Sequence, residues 1–317
     1  MASAVFQARG LRADSPLGLF GLLCAVVVVA SVLSPNFLAV DNLINIVRTV
    51  AVVGVIAVGM TAVLIAGEID LSVGSVAAMA GIVGALFIDL GSSSIVVVAA
   101  TLGAGVLAGI VNGLGVTLVG VPSLIMTLGT LGVGRALASL ISGGQAAYPS
   151  DLSLYMFFGR GYVLGIPFPV VLFVGLAIVS AVLLRRTALG RRYYLVGGNA
   201  VAARLSGVSG NLVKLTAFVM SGLCASLATL MQSARLGQID PAMGQGYELT
   251  AIAIAILGGA SLFGGKGSIE GTFVAALIFG VIYNILNLLG FSGHVQQIFV
   301  AAVIVAVASL HAIKGRS

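Results

Sequence analysis

The chain has 317 residues, of which 60% are hydrophobic and only 8% are charged, and its formal net charge is +6. Soluble domains carry about 25% charged residues, so the composition excludes a water-soluble globule and indicates that a lipid bilayer surrounds most of the chain. The 44 glycines agree with this, because small residues let transmembrane helices approach closely. The positive charge then indicates basic cytoplasmic loops rather than a nucleic-acid surface.

Apolar stretches long enough to cross a hydrocarbon core of about 30 Å recur along the chain. We predict ten spans, at roughly Pro16–Leu33, Thr49–Ala66, Val73–Leu90, Ile95–Val119, Ser123–Ile141, Pro167–Leu184, Leu212–Ser233, Leu249–Phe263, Thr272–Leu289 and Val295–Ala312. Glycine interruptions and the shortness of several stretches predict that some helices are broken or re-entrant. The predicted fold class is all-α, a polytopic integral membrane protein, with residues 1–317 forming a single transmembrane domain.

Basic residues are concentrated in one polar loop, residues 185–211, and just after it. They are Arg185, Arg186, Arg191, Arg192, Arg204 and Lys214. The positive-inside rule places this loop in the cytoplasm. Arg9 and Arg12 place the N-terminus on the same side, and Lys314 and Arg316 place the C-terminus there. Six spans precede the loop and four follow it, and both numbers are even, so the three assignments agree.

The segment GEIDLSVGS, Gly67–Ser75, places two carboxylates between two apolar spans. A charged side chain at membrane depth costs a few kcal/mol, so it usually faces a cavity or a partner. We predict an architectural role, in which Asp70 or Ser72 caps the helix that starts near Val73. Contact with a transported substrate is the alternative, which makes Glu68, Asp70 and Ser72 candidates for the translocation path.

The same motif has a weak echo later in the chain. Gly67–Gly74 resembles Gly258–Gly265, and each segment lies between two apolar runs. Transporters often contain repeats whose broken helices meet at the binding site. In a chain so rich in glycine, a chance similarity is equally expected.

Several amides lie within the apolar spans, among them Asn112, Asn284 and Asn287. Hydrogen bonds between helices are the default role for such side chains. The alternative is that they line a path for an uncharged polar solute, which requires uncharged donors and acceptors. Asn112, Asn284 and Asn287 are therefore further candidates for the translocation path.

No residue pattern indicates catalysis, a metal or a cofactor. Cys24 and Cys224 lie in apolar runs and are expected to be free thiols, and His294 and His311 stand apart from any ligand cluster. The glycine-rich segment Leu262–Gly271 lacks the G-x-x-x-x-G-K-[ST] spacing of a phosphate-binding loop. This chain is therefore not expected to hydrolyse ATP itself.

Six sequence blocks, in order, resemble the membrane permease of bacterial ribose-type ABC importers. They are Leu33–Arg48, Ala57–Gly81, Asn112–Ala138, Thr187–Val208, Gly246–Thr272 and Asn284–Gly290. The chain departs from the family's pattern at Glu68, Ala136 and Ile285, where glycine is usual. None of these departures alters the family, and Glu68 and Ile285 bear on which sugar is carried.

The resemblance implies a multi-pass permease subunit in the bacterial inner membrane that moves a monosaccharide. It implies three protein partners besides the lipid bilayer: an ABC ATPase subunit, a periplasmic or extracellular sugar-binding protein, and a second permease subunit, identical or different. It implies no nucleic acid. An ABC permease for branched-chain amino acids or nucleosides remains an alternative, and an ion-coupled secondary transporter is a weaker one.

A short helix in the cytoplasmic loop is the expected docking element for the ATPase. The importer coupling motif has Glu-Ala-Ala, three residues, then Gly, and Ala202, Ala203 and Gly207 keep that spacing while Val201 replaces the Glu. The predicted coupling residues are Gly198 and Asn199 in a turn, Ala202 and Ala203 as small docking residues, Arg204 as a charge for an acidic partner, and Gly207 as the helix stop.

Overall fold

Helices make up most of residues 16–149 and 152–314, the part of the chain that this computed structural model describes. They are α1 (Pro16–Leu33), α2 (Val40–Ile65), α3 (Val73–Asp89), α4 (Ser94–Leu114), α5 (Ser123–Ser142), α6 (Ser153–Arg160), α7 (Phe168–Arg186), α8 (Ala188–Gly198), α9 (Ala200–Leu205), α10 (Gly210–Leu236), α11 (Tyr247–Leu257), α12 (Ile269–Leu288) and α13 (Gly293–Lys314). A π-helical turn, Gly115–Val119, extends α4, and β1 (Tyr162–Val163) pairs antiparallel with β2 (Ile166–Pro167).

The prediction of an all-α polytopic protein is confirmed, because a helix occupies each of the ten predicted spans. Among the described residues, six helices are long and apolar enough to cross a membrane, and four shorter apolar helices accompany them. Two predicted boundaries are wrong. Helix α2 begins at Val40 rather than near Thr49, and α11 ends at Leu257 rather than Phe263 because Gly258 and Gly259 follow it.

Helix α2 lies at the centre of the bundle. Every residue from Val50 to Ile65 is buried, and the helix packs against α7, α10, α11 and α12. A helix that is surrounded on all sides needs no polar face. This explains why its sequence shows apolar residues without amphipathic spacing.

Helices α4 and α10 cross at backbone contact. A side chain added at Gly222 of α10 would overlap the carbonyl oxygen of Gly105, and one added at Gly109 would overlap that of Phe218. Packing this close is possible only with small residues at the crossing. Some of the many glycines in the sequence therefore allow α4 and α10 to cross this closely.

Contacts between helices define two opposite ends of the bundle. At one end, which we call the α6 end, Arg235 near the end of α10 donates a hydrogen bond to Thr49 of α2, and Phe168 at the start of α7 contacts the rings of Phe157 and Phe158 of α6. Helix α7 leads from there to α8 and α9, which lie at the other end, the α9 end.

We predict that Gly222→Ala destabilises the protein through overlap of its methyl group with α4. Overpacking of this kind costs about 1–3 kcal/mol, and each kcal/mol lowers the Tm of a chain of this size by roughly 2–4 °C. The measurement is thermal unfolding in detergent, followed by circular dichroism. Gly103→Ala on α4 is the control, since a side chain there meets nothing within 4 Å and alanine favours helix. Equal melting of the Gly222→Ala and wild-type proteins would contradict the close crossing.

Candidate functional site

The chain leaves α2 through a left-handed glycine. Gly67 has φ +81°, and the backbone N–H groups of Gly67 and Glu68 donate to the carbonyls of Leu64 and Val63 over 2.9 and 3.1 Å. This is the hydrogen-bond pattern of a Schellman motif, for which glycine is the favoured residue. The break before α3 is therefore built by α2 itself, and it carries Glu68 and Asp70 into the interior.

The Asp70 carboxylate lies at the centre of this break and is 2% exposed. Its Oδ1 atom accepts hydrogen bonds from the backbone N–H and the hydroxyl of Ser72, over 2.9 and 2.6 Å. Its Oδ2 atom accepts the hydroxyl of Ser221 on α10 over 2.7 Å. Three donors to one carboxylate offset the cost of removing it from water.

Two further side chains extend this network to α4 and α5. Asn112 donates from Nδ2 to the hydroxyl of Ser72 over 2.8 Å, and Thr130 donates to Oδ1 of Asn112 over 2.5 Å. An amide oxygen only accepts and an amide nitrogen only donates. Thr130 therefore donates to Asn112, and Asn112 donates to Ser72, which in turn donates to Asp70. The network thus joins α3, α4, α5 and α10 around one negative group.

The predicted capping role is wrong for Ser72. Ser72 is the residue before α3, but its side chain makes no capping hydrogen bond, and its hydroxyl donates to Asp70 instead. Asp70 accepts the backbone N–H of Ser72 directly before the helix, so it satisfies a backbone donor at the break as predicted. The same carboxylate also ties the break to α10.

The structure brings Asp70, Ser72 and Asn112, three of the six candidates for the translocation path, together in one network. Sequence reasoning missed Ser221 and Thr130, although both complete the same network. Hydroxyl residues are common in apolar helices, and no local pattern marks which of them faces a distant carboxylate. Only the packing of α10 and α5 against the break identifies these two.

Glu68 has a separate partner. Its Oε1 atom lies 2.5 Å from Nζ of Lys214 near the start of α10, with the two side chains 10% and 30% exposed respectively. Loss of either partner would leave the other charge partly buried and unpaired, which is strongly destabilising. Glu68 and Asp70 thus fix the same break to the same helix at two levels.

The break between α11 and α12 repeats the first one. Gly259 has φ +95°, and the N–H groups of Gly259 and Ala260 donate to the carbonyls of Ile256 and Ala255, each over 2.9 Å. The backbone matches Gly67 with Gly259, one residue beyond the alignment that the sequence echo suggested. The same pattern of two hydrogen bonds ends helices at Gly91, Gly207 and Gly290, so it is a common helix ending in this chain and does not mark an internal repeat.

Both breaks meet helix α8 through glycines, in a contact that we call the glycine joint: Gly67, Gly197, Gly264 and Gly265. The N–H of Gly265 donates to the carbonyl of Ile65 at the end of α2, over 3.0 Å. A side chain at Gly197 would overlap that same carbonyl, and one at Gly264 would lie 2.5 Å from the carbonyl of Gly197. Backbone touches backbone at the joint, with no side chain between.

Polar contacts also hold α8 and the end of α7 to the segment that leads into α12 and to its first turn. The Tyr194 hydroxyl donates to the carbonyl of Gly267 over 3.1 Å, and Arg185 forms an ion pair with Glu270 over 2.8 Å. Burial raises the pKa of Tyr194, while the Arg185 charge lowers it and the Glu270 charge raises it further. The tyrosine therefore stays protonated and available as a donor at neutral pH.

The predicted short helix in the loop is confirmed as α9. The Asn199 side chain caps it by accepting from the N–H of Ala202 over 2.9 Å. Gly207 ends it with φ +74°, and the N–H groups of Gly207 and Val208 donate to the carbonyls of Arg204 and Ala203, each over 3.0 Å. Gly198, expected in a turn, is instead the last residue of α8.

The exposed face of α9 differs from the expected one. Ala203 is 1% exposed, so it packs against the body of the chain and offers no docking surface. Val201 and Leu205 are 60% and 82% exposed, and Arg204 is exposed between them. One helical turn separates Val201 from Leu205, so the two apolar side chains share a face.

Asn284 and Asn287 lie elsewhere, at the α6 end. Asn284 exchanges two hydrogen bonds with Asn42 of α2, over 3.0 and 2.7 Å. The candidate path residues therefore form two groups and not one. Within the described residues, no cluster of three or more His, Cys, Asp or Glu side chains could hold a metal ion.

The fold is that of an ABC transporter membrane subunit. A solved ABC transporter of the metal-chelate type, in an inward-facing conformation, superposes with a TM-score of 0.54 at 17% identity, covering 94% of this chain and 98% of that one. The chain belongs to the family described as branched-chain amino acid transport system / permease component, whose model matches residues 42–308.

Its curated relatives include three sugar permeases. The chain is 41% identical over 286 residues to the ribose import permease protein RbsC of Escherichia coli (strain K12), covering 89% of each chain. It is 39% identical over 295 residues to RbsC of Bacillus subtilis (strain 168), covering 93% of this chain and 91% of that one. It is 35% identical over 291 residues to the L-arabinose transport system permease protein AraH of Escherichia coli (strain K12), covering 91% and 88%. The resemblance to ribose-type permeases is confirmed.

We predict that Ser221→Ala lowers the free energy of unfolding by about 1.5–3 kcal/mol, because it removes a hydrogen bond to a buried charged group. Ser180→Ala is the matched control. Ser180 is also buried in an apolar helix, but its hydroxyl has no partner among the described residues. Its removal is therefore expected to cost nothing. Thermal unfolding of both variants is the measurement, and equal Tm values would contradict a structural role for Asp70.

Proposed function

We propose that this chain is the membrane permease subunit of a bacterial ABC importer that carries a monosaccharide. The observation that carries the proposal is the identity of 35–41% to ribose and arabinose permeases along most of the chain. The six sequence blocks give the same indication. The chain itself is a transport subunit and not an enzyme.

The site argues against an ion-coupled secondary transporter. Such a mechanism needs a carboxylate that binds and releases a cation or proton during transport. Glu68 is engaged by Lys214, and both oxygens of Asp70 are engaged by hydroxyl or N–H donors. The alternative of an amino acid or nucleoside permease keeps the same mechanism but has less support from the relatives.

The geometry suggests how an ATPase would drive the permease. An ATPase that docks on α9 would displace α8, which adjoins α9 at Asn199. Helix α8 touches both breaks at the glycine joint, where there is no side chain to absorb a displacement. The Asp70 network would then carry the movement from the first break to α4, α5 and α10.

Transport by reconstituted importer tests the function. We expect uptake of a ribose-class sugar into proteoliposomes to require ATP, the ATPase and the sugar-binding protein. Uptake of L-leucine in place of sugars would favour the amino acid alternative. Sugar uptake without the ATPase, abolished by collapse of the proton gradient, would favour a secondary transporter.

The docking face of α9 gives a second test. Leu205→Asp is expected to reduce copurification of the ATPase at least tenfold, since a buried charge without a partner costs several kcal/mol at an interface. Leu164→Asp is the control, because Leu164 is 98% exposed in the turn between β1 and β2, at the α6 end. Equal copurification of the two variants would show that α9 is not the docking element.

The proposed orientation places the α9 end and both termini in the cytoplasm. Arg9, Arg12 and Arg316, which contribute to this orientation, lie outside the described residues. We expect Ser206→Cys to label from inside only and Gln145→Cys from outside only, with an impermeant maleimide in a Cys24→Ala background. Cys224 is buried and should stay unlabelled. Labelling of both positions from the same side would contradict the ten-span topology.

A further inference from the structure

A polar cavity of about 400 Å³ lies at the α6 end, between α2, α10, α12 and α13. Among the described residues, five amide side chains line it, and they are Asn42, Asn45, Asn284, Asn287 and Gln296. Asn42 and Asn45 are three residues apart on α2, and Asn284 and Asn287 are three apart on α12. Each pair therefore occupies one helical face, and the two faces oppose each other across the cavity.

The inner boundary of the cavity is set by close packing. Gly280 lines the cavity, and a side chain there would overlap Cγ2 of Val50 on α2. Helices α2 and α12 are thus in contact at this level and diverge towards the α6 end. The cavity is a consequence of how these two helices cross and does not depend on a mobile loop.

Part of the lining is already engaged and forms a fixed frame. Asn42 and Asn284 hold each other by two hydrogen bonds. Arg235, the one charged residue in the lining, donates to Thr49 over 2.9 Å, and the Tyr283 hydroxyl lies 3.1 Å from that of Thr250. These contacts fix the shape of the cavity before any ligand enters.

The rest of the lining is available to a ligand. Among the described residues, no hydrogen bond engages the Asn45 side chain, and the contact from Gln296 to Asn287 is 3.5 Å long, which is weak. Each amide offers a donor and an acceptor side by side. A carbon chain with neighbouring hydroxyl groups matches this arrangement, since each hydroxyl both donates and accepts.

We propose that this cavity is a binding subsite for a neutral polyhydroxylated molecule of the sugar class, with Asn45, Asn287 and Gln296 as its recognition groups. The choice of a sugar over other polyols rests on the proposed function. The subsite is distinct from the Asp70 network, which lies at the first break. Its position at the α6 end makes it accessible from the side opposite to the proposed ATPase contact.

The test is direct binding to the full-length chain in phosphatidylcholine nanodiscs, without a binding protein. These lipids carry no sugar or hydroxyl head group, so a signal comes from the free ligand. D-ribose and L-arabinose are titrated by saturation-transfer NMR, with L-leucine and D-gluconate as comparison ligands. We expect at least one sugar to bind, and Asn287→Ala and Asn45→Ala each to weaken it about tenfold.

Asn36→Ala is the matched control, because Asn36 is an exposed asparagine near the same end that does not line the cavity. It should leave sugar affinity unchanged. Absence of sugar binding, preference for L-leucine or D-gluconate, or binding that both cavity variants retain would each overturn the subsite. Sugar uptake by the reconstituted importer is measured separately, so failure of the subsite and failure of the proposed function are distinguishable.

Discussion

The break between α2 and α3 places backbone hydrogen-bonding groups and a charged side chain inside the bundle. The rest of the structure depends on supplying partners for both. Inside a membrane protein, irregular backbone is tolerated only where the protein itself supplies its hydrogen bonds. The Schellman motif at Gly67 supplies these hydrogen bonds for the backbone of the break. The charge of Asp70 is satisfied by Ser72 and by Ser221 of α10. Asn112 and Thr130 extend this network from Ser72 to α4 and α5, so four helices are joined around the break.

The glycine joint connects the peripheral helix α8 with the buried breaks. Side chains are flexible, and a contact made through them can absorb a displacement by changing rotamers. At Gly197 the backbone of α8 lies directly against the carbonyl of Ile65, so a displacement has no rotamer to absorb it. The joint also links the two breaks to each other, through the hydrogen bond from Gly265 to Ile65. Helix α8 is therefore in contact with both breaks at once.

The sequence predicts the helices better than it predicts their partners. Apolar length alone locates all ten spans, and Asn199 and Gly207 locate the ends of α9, because these signals are local. Asp70 was recognisable as unusual, but its partner Ser221 lies 151 positions away, and a serine in an apolar helix carries no mark of its partner. The same limit applies to Ala203. Its small size suggested a docking contact, whereas packing places it inside and exposes Leu205.

The two ends of the bundle differ in how they are held together, and this difference follows from composition. At the α9 end, glycines give contacts between backbones, and these cannot rearrange without moving whole helices. At the α6 end, amide pairs such as Asn42 and Asn284 join α2 to α12. This pair fixes the spacing of α2 and α12 at the α6 end, while Gly280 and Val50 bring the same two helices into contact deeper in the bundle. Backbone contacts leave no space between helices, whereas paired side chains keep two helices apart, so the cavity forms at the α6 end and not at the α9 end.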